Sequence, residues 1–122
     1  MAHHDILIVE DNADASETLR LLLELEGHRV EIANAGEQGV ALAQARPFSV
    51  GLIDIGLPDF DGYEVARRIR ALPDVGKLFL VALTGYGQPD DRIRAQEAGF
   101  DAHIVKPVDP DELIKVLNRT RS

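Results

Sequence analysis

The chain of 122 residues contains no cysteine. Disulfides, thiolate metal sites and cysteine nucleophiles are therefore excluded, as a reducing compartment would permit but does not require. No apolar run approaches membrane-spanning length. The amino terminus, MAHHDILIVED, lacks the charged-then-apolar order of a signal sequence. A cytoplasmic domain is the expectation, and His3-His4 is assigned no role. Basic residues are scarce: 13 Lys and Arg stand against 21 Asp and Glu, a net charge of −8. Direct binding of nucleic acid, which needs a basic face to neutralise phosphates, is not expected. An acidic surface suits cations or basic partners, though solubility alone also accounts for it.

Hydrophobic residues make up 45% of the chain and charged residues 28%. That balance, at this length, fits one compact soluble domain, residues 1–122. Apolar runs and helical patterns alternate without an internal repeat or low-complexity linker. Strands are expected at 5–10 (DILIVE), 28–33 (HRVEIA), 49–54 (SVGLID), 77–84 (KLFLVALT) and 102–105 (AHIV). Helices are expected at 13–27, 35–45, 63–72, 90–99 and 109–119, with Gly27 and Pro73 as stop signals. Five β-α units with nearly unbroken apolar strands predict a doubly wound parallel sheet, flavodoxin-like, with helices on both faces and strand order 2-1-3-4-5. Such sheets bind ligands beyond the carboxyl ends of their strands.

Four segments bring polar residues to that edge: Glu10-Asp11 after strand 1, Asp54 ending strand 3, Thr84 ending strand 4, and Lys106-Pro107 after strand 5. Each has an ordinary reading when taken singly. Asp54 fits a turn or cap, Glu10-Asp11-Asn12 a turn and helix N-cap, Thr84 a strand end, and Lys106 a solvated surface lysine. Together they amount to more. Three carboxylates crowded at one edge repel unless a cation intervenes. Oxygen ligands without His or Cys favour Mg²⁺ or Mn²⁺. Lys106 adds a positive charge and Thr84 a hydroxyl, which completes what a phosphoryl group needs from a site with a carboxylate nucleophile.

The stretches ILIVEDN (6–12), LIDIGLPDFDGYE (52–64), VALTGYG (81–87) and AHIVKPVD (102–109) resemble the receiver domain of two-component response regulators over essentially the whole chain. The resemblance implies that Asp54 is the phosphoacceptor, attacking the phosphorus of a phosphohistidine. It implies Mg²⁺ held by Asp11, Asp54 and the Gly56 carbonyl, with Glu10 supporting through water. Lys106 would pair with the phosphoryl oxygens, Thr84 would be the switch hydroxyl, and the Lys106-Pro107 bond would be cis. The implied partners are a histidine kinase or histidine phosphotransfer domain, and a downstream protein or output domain in cis. Phosphorylation would change the face formed by helix 4, strand 5 and helix 5, and the only chemistry expected is self-catalysed phosphoryl transfer and autodephosphorylation. In the intervening loop, Pro58 stiffens the chain, Gly62 serves a positive φ or a close approach, and Asp61 caps helix 3.

Three positions depart from the family pattern. His103 stands where an aromatic switch ring is usual, Gly56 offers no side chain two residues after the acceptor, and Tyr86, two after Thr84, is bulky enough to gate the site. Gly56 also counts against a phosphohydrolase of the haloacid dehalogenase type, which needs a second Asp there. A flavodoxin phosphate loop would offer hydroxyls, glycines and backbone N–H groups, whereas the acidic EDNADAS (10–16) repels phosphate unless a metal sits between. A receiver without phosphoacceptor chemistry is disfavoured, because Asp11, Asp54, Thr84 and Lys106 are all present. No output domain is expected within the sequence read, which runs to NRTRS (118–122), and the run from Leu83 to Asp109 resembles receivers of hybrid histidine kinases. A stand-alone regulator and a receiver from a larger protein both stay open.

Overall fold

In the computed structural model the described residues are 4–59, 61–73, 75, 78–85 and 92–119. Along them run β1 (Asp5–Val9), α1 (Ala13–Leu25), β2 (Arg29–Ala33), α2 (Gly36–Ala45), β3 (Val50–Asp54), α3 (Gly62–Arg70), β4 (Phe79–Thr84), α4 (Arg92–Ala98), β5 (Ala102–Val105) and α5 (Pro110–Asn118). The strands form one sheet in the order β2-β1-β3-β4-β5, every pair parallel, as the alternating pattern predicts.

Side chains alternate across each strand, so the sheet builds a core on both faces. Leu7, Val9, Ile53, Leu80 and Ala82 pack with Val65, Ala66 and Ile69 of α3. Ile6, Ile8, Leu52, Val81, Leu83 and Ile104 pack on the other face with Leu19 and Leu23 of α1 and Leu113, Val116 and Leu117 of α5. Most of these side chains are fully buried. Each buried Val, Leu or Ile contributes about 1.5–3 kcal/mol over exposure, which holds the strands in fixed register and therefore fixes their ends.

The expected boundaries differ from those observed by a residue or two at most ends, because local caps close the elements. Asn12 caps α1, its side chain accepting from the Ala15 N–H. Asp61 and Asp109 do the same for α3 and α5. Expected β4 begins at 77 and expected helix 4 at 90, positions outside the described residues; their described parts start at Phe79 and Arg92. Two glycines permit contacts that a side chain would block. A Cβ on Gly39 would come within 2.7 Å of Val9 Cγ2, so its absence lets α2 settle directly on β1. Gly62 serves close approach rather than positive φ: a Cβ there would lie 2.6 Å from the Asp54 carbonyl oxygen.

Candidate functional site

The parallel order aligns the carboxyl ends of β1, β3 and β4, and the chain leaves each with a polar residue. Glu10 continues the β1 ladder, donating its N–H to Ala33 O at 3.0 Å, and is only 1% exposed. Asp54, the last residue of β3, is 8% exposed, whereas Asp11 is open to solvent. Carboxylate oxygens of Glu10, Asp11 and Asp54 lie within 4.8 Å of one another. From the far side of the sheet, Lys106 reaches in, its Nζ 2.6 Å from Glu10 Oε1 and 3.4 Å from Asp54 Oδ2. Its backbone is set by a bond from Lys106 N–H to Thr84 O at 2.7 Å, and the Lys106-Pro107 bond is cis.

The loop after Asp54 folds back on the site. Gly56 N–H donates to Asp54 Oδ1 at 3.1 Å, so the turn helps hold the carboxylate it follows. Gly62 N–H donates to Ile55 O at 2.9 Å and closes the loop. Asp61 Oδ1 accepts from Glu64 N–H at 3.0 Å, fixing the start of α3. The Asn12 N–H gives Glu10 Oε2 a second partner at 3.2 Å.

Charge is out of balance here. Burial pushes the Glu10 carboxyl above its ordinary value; the hydrogen bond from Lys106 opposes this, and the neighbouring Asp54 carboxylate adds to the rise. Burial works against the Lys106 ammonium, but Glu10 and Asp54 outweigh it and raise its pKa. Two unit negative charges 4.8 Å apart repel by on the order of 3 kcal/mol at an effective dielectric of about 20. One ammonium does not offset three carboxylates. The donors are all oxygen, two of the three are buried, and the excess charge is negative, so the residues fit a hard divalent cation such as Mg²⁺ or Mn²⁺.

The structure thus brings Glu10, Asp11, Asp54 and Lys106 together and sets Gly56 against Asp54. Thr84 ends β4, half-buried, opposite Val105 of β5. His103 lies further back on β5, opposite Ala82 and half-buried. Ile104 points into the core with α1 and α5, so His103 faces the other side of the sheet, and no described contact joins it to the carboxylates. Tyr86 lies outside the described residues. Sequence reading missed Asp59, which reaches from the β3–α3 loop to the start of α2: Oδ1 accepts from Gly36 N–H and Oδ2 from Glu37 N–H, each at 2.9 Å. A signal for it existed. The pattern of α2 opens after Ala35, which has no capping side chain of its own.

An open parallel α/β sheet carries an acidic, lysine-guarded cluster beyond its strand ends whose oxygen donors fit a divalent cation. The family model of the response regulator receiver domain matches residues 6–118, and the chain belongs to that family. An uncharacterised 14.6 kDa protein of Leptolyngbya boryana is 36% identical over 119 residues, covering 98% of this chain and 91% of that one. The cell cycle response regulator CtrA of Brucella ovis is 34% identical over 109 residues, which is 89% of this chain but only 46% of CtrA. Among solved structures, the receiver domain of the sensor histidine kinase PA1611 of Pseudomonas aeruginosa PAO1, with a magnesium ion coordinated in its active-site cleft, superposes with a TM-score of 0.87 at 33% identity over 97% of each chain. The chain is accordingly a phosphoacceptor receiver of two-component signalling, and its family is one of signalling switches. No helix among the described residues is long and apolar enough to cross a membrane.

Proposed function

We propose that Asp54 is the residue that takes the phosphoryl group, from a histidine kinase or a histidine phosphotransfer domain in the cytoplasm. The observation that carries this reading is the position of Lys106, whose ammonium spans Glu10 and Asp54 at 2.6 and 3.4 Å. Asp11, Asp54 and the Gly56 carbonyl would hold Mg²⁺ or Mn²⁺, with Glu10 acting through a bound water. The ion, when bound, neutralises charge on the phosphoryl oxygens. Magnesium in the cleft of the PA1611 receiver supports this choice.

The chain's own residues do the rest. Gly56 N–H holds Oδ1 of Asp54, leaving Oδ2 on the Lys106 side. A carboxylate oxygen of Asp54 attacks phosphorus, an O–P bond forms, and the P–N bond to the donor imidazole breaks, the electron pair leaving with the ring nitrogen. Lys106 pairs with a phosphoryl oxygen, and Thr84, whose carbonyl is bonded to the Lys106 N–H, donates its hydroxyl to another. Drawing Thr84 inward shifts the end of β4 and so alters the face formed by α4, β5 and α5, where a downstream protein or an output domain in cis would dock. The whole of 1–122 acts as one receiver, stand-alone or within a larger protein, with autodephosphorylation as its only hydrolytic step; Tyr86 and His103 are the positions proposed to modulate it.

Incubation with acetyl phosphate and Mg²⁺, read by intact-protein mass spectrometry, tests the acceptor. The wild-type chain should gain one phosphoryl group and Asp54→Asn none. An equal gain on Asp54→Asn rejects the assignment.

A further inference from the structure

We infer that Asp59 is a positioning residue for the cation and phosphoryl site, acting by tying the loop after Asp54 to helix α2. The inference rests on the reading of Asp54 and Gly56 given above and assigns the residue that holds them in place.

Helix α2 lacks a capping side chain at Ala35, so its first N–H groups need an acceptor from elsewhere. Asp59 supplies both of its oxygens, at 2.9 Å to Gly36 N–H and 2.9 Å to Glu37 N–H. A carboxylate there also meets the positive end of the helix dipole. The residue comes from a different β-α unit, 22 positions further along than Glu37, and lies three residues after Gly56. Pro58 between them restricts the chain.

The helix that receives this carboxylate is itself fixed. Gly39 of α2 sits so close to Val9 that a Cβ would come within 2.7 Å of Val9 Cγ2. Val9 is the last residue of β1, immediately before Glu10 and Asp11. The two halves of the ligand set therefore share one platform. Glu10 and Asp11 follow from the strand against which α2 packs, and Gly56 follows from a loop pinned to the same helix. With the tether in place, Gly56 N–H is directed at Asp54 Oδ1. Without it, the loop carrying Gly56 loses a described attachment to α2, and the Gly56 carbonyl loses a reference to β1 that Asp54 keeps through the β1–β3 pairing.

A capping role alone would give the same contacts, and a double variant separates the two. Asp59→Ala should weaken Mg²⁺ binding, followed by amide chemical shifts in a Mg²⁺ titration, by roughly tenfold, the lower end of what loss of an outer partner costs a metal site. It should also speed hydrogen exchange at Gly36 and Glu37. Adding Ala35→Ser supplies a local cap. In Ala35→Ser/Asp59→Ala the exchange protection of α2 should return while Mg²⁺ affinity stays low. Asp59→Asn, which keeps one acceptor oxygen and the side-chain shape, should fall between wild type and Asp59→Ala, and provides the same comparison if the alanine variant folds poorly. Unchanged Mg²⁺ affinity in Asp59→Ala, or affinity restored together with the helix by Ala35→Ser, overturns the inference while leaving the phosphoacceptor reading intact. A wild-type chain with no saturable response to Mg²⁺ overturns the metal-site reading, and the inference with it.

Discussion

Lys106 Nζ stands closer to Glu10, at 2.6 Å from Oε1, than to Asp54, at 3.4 Å from Oδ2. The ammonium is thus held chiefly by the buried carboxylate beside Asp54. Glu10 is 1% exposed, so little water competes for it. On the reading proposed here, a phosphoryl group on Asp54 has to draw Lys106 away from Glu10, and a cation in the cluster loosens that grip by taking over Glu10's charge. With such a cation bound, the lysine, the acid and the metal would form one electrostatic unit in which each sets the cost of the others.

Removing the ammonium exposes that balance. Lys106→Met removes the one described counter-charge of Glu10 and Asp54 and should destabilise the metal-free chain by about 1–3 kcal/mol, below the 3–5 kcal/mol typical of a fully buried pair because the lysine is 30% exposed. Saturating Mg²⁺ should then stabilise the variant more than it stabilises the wild type. Urea unfolding with and without Mg²⁺ measures both. An equal metal increment in the two proteins would show that Lys106 and the cation do not share the same charges.

Acid should act on the metal-free chain in two separate windows. The Glu10 pKa is raised above its ordinary 4.5, chiefly by burial, so the folded state holds this proton more tightly than the unfolded state does. Its contribution to stability is complete below 4.5 and fades as pH rises through the folded value. Glu64 runs the other way: hydrogen bonds from Arg68 and Arg67 lower its pKa, so its contribution is present above 4.5 and is lost as pH falls through the lowered value. On acidification from neutral pH to 4.5, wild type should gain stability relative to Glu10→Gln. The difference between their urea midpoints across that range is the measurement, and a pH-independent difference would contradict the burial argument.

Much of this site was legible because parallel β-α units make strand ends converge. Once DILIVE, SVGLID, KLFLVALT and AHIV are read as strands, Glu10, Asp54, Thr84 and Lys106 must share an edge, and strand 5 is found at Ala102–Val105 as expected. Pairings between side chains far apart in sequence were not legible. Lys106 reads as a mobile positive charge, yet it is tied to Glu10, 96 residues away. Asp59 reads as loop, because the uncapped start of α2 at Ala35 signals only that an acceptor is needed and not that another unit supplies it. Helix ends shift for a related reason: they are decided by which groups satisfy the last N–H and C=O, and hydrophobic period says nothing about that.

Among the described residues, Arg94 ties helix α4 to the loop that follows Asp54. Arg94 Nη2 lies 3.2 Å from Asp61 Oδ2, and its guanidinium carbon lies 4.2 Å from the centre of the Tyr63 ring. Asp61 adjoins Gly62, which rests on the Asp54 backbone. Arg94→Ala should lower global stability by no more than about 1 kcal/mol, since both contacts are partly exposed. It should speed hydrogen exchange within Arg92–Ala98 and reduce the change that phosphorylation produces there. Unaltered exchange on α4 in both states would show that the arginine does not couple the loop to the helix.

The opposite edge of the sheet depends on another arginine, and its loss should be far more costly than that of its neighbour on the same helix. Arg70 donates to Leu78 O at 2.6 Å, to Gly99 O at 2.8 and 3.0 Å, and to Asp101 Oδ2 at 2.7 Å. Asp101 Oδ2 in turn accepts from the Leu80 N–H at 2.9 Å, so one guanidinium joins α3, the start of β4 and the turn before β5. Arg70→Met removes these donors and leaves part-buried carbonyls unpaired, which should lower stability by about 2–3 kcal/mol. Arg68 makes its ion pair with Glu64 in the open, and Arg68→Met should change stability by no more than about 0.5 kcal/mol. No described contact joins either residue to Glu10, Asp11 or Asp54, so Mg²⁺ affinity should be unchanged in both variants. Urea unfolding of the two proteins side by side decides the matter, and equal losses would mean that the bracket around Arg70 contributes no more than an exposed ion pair.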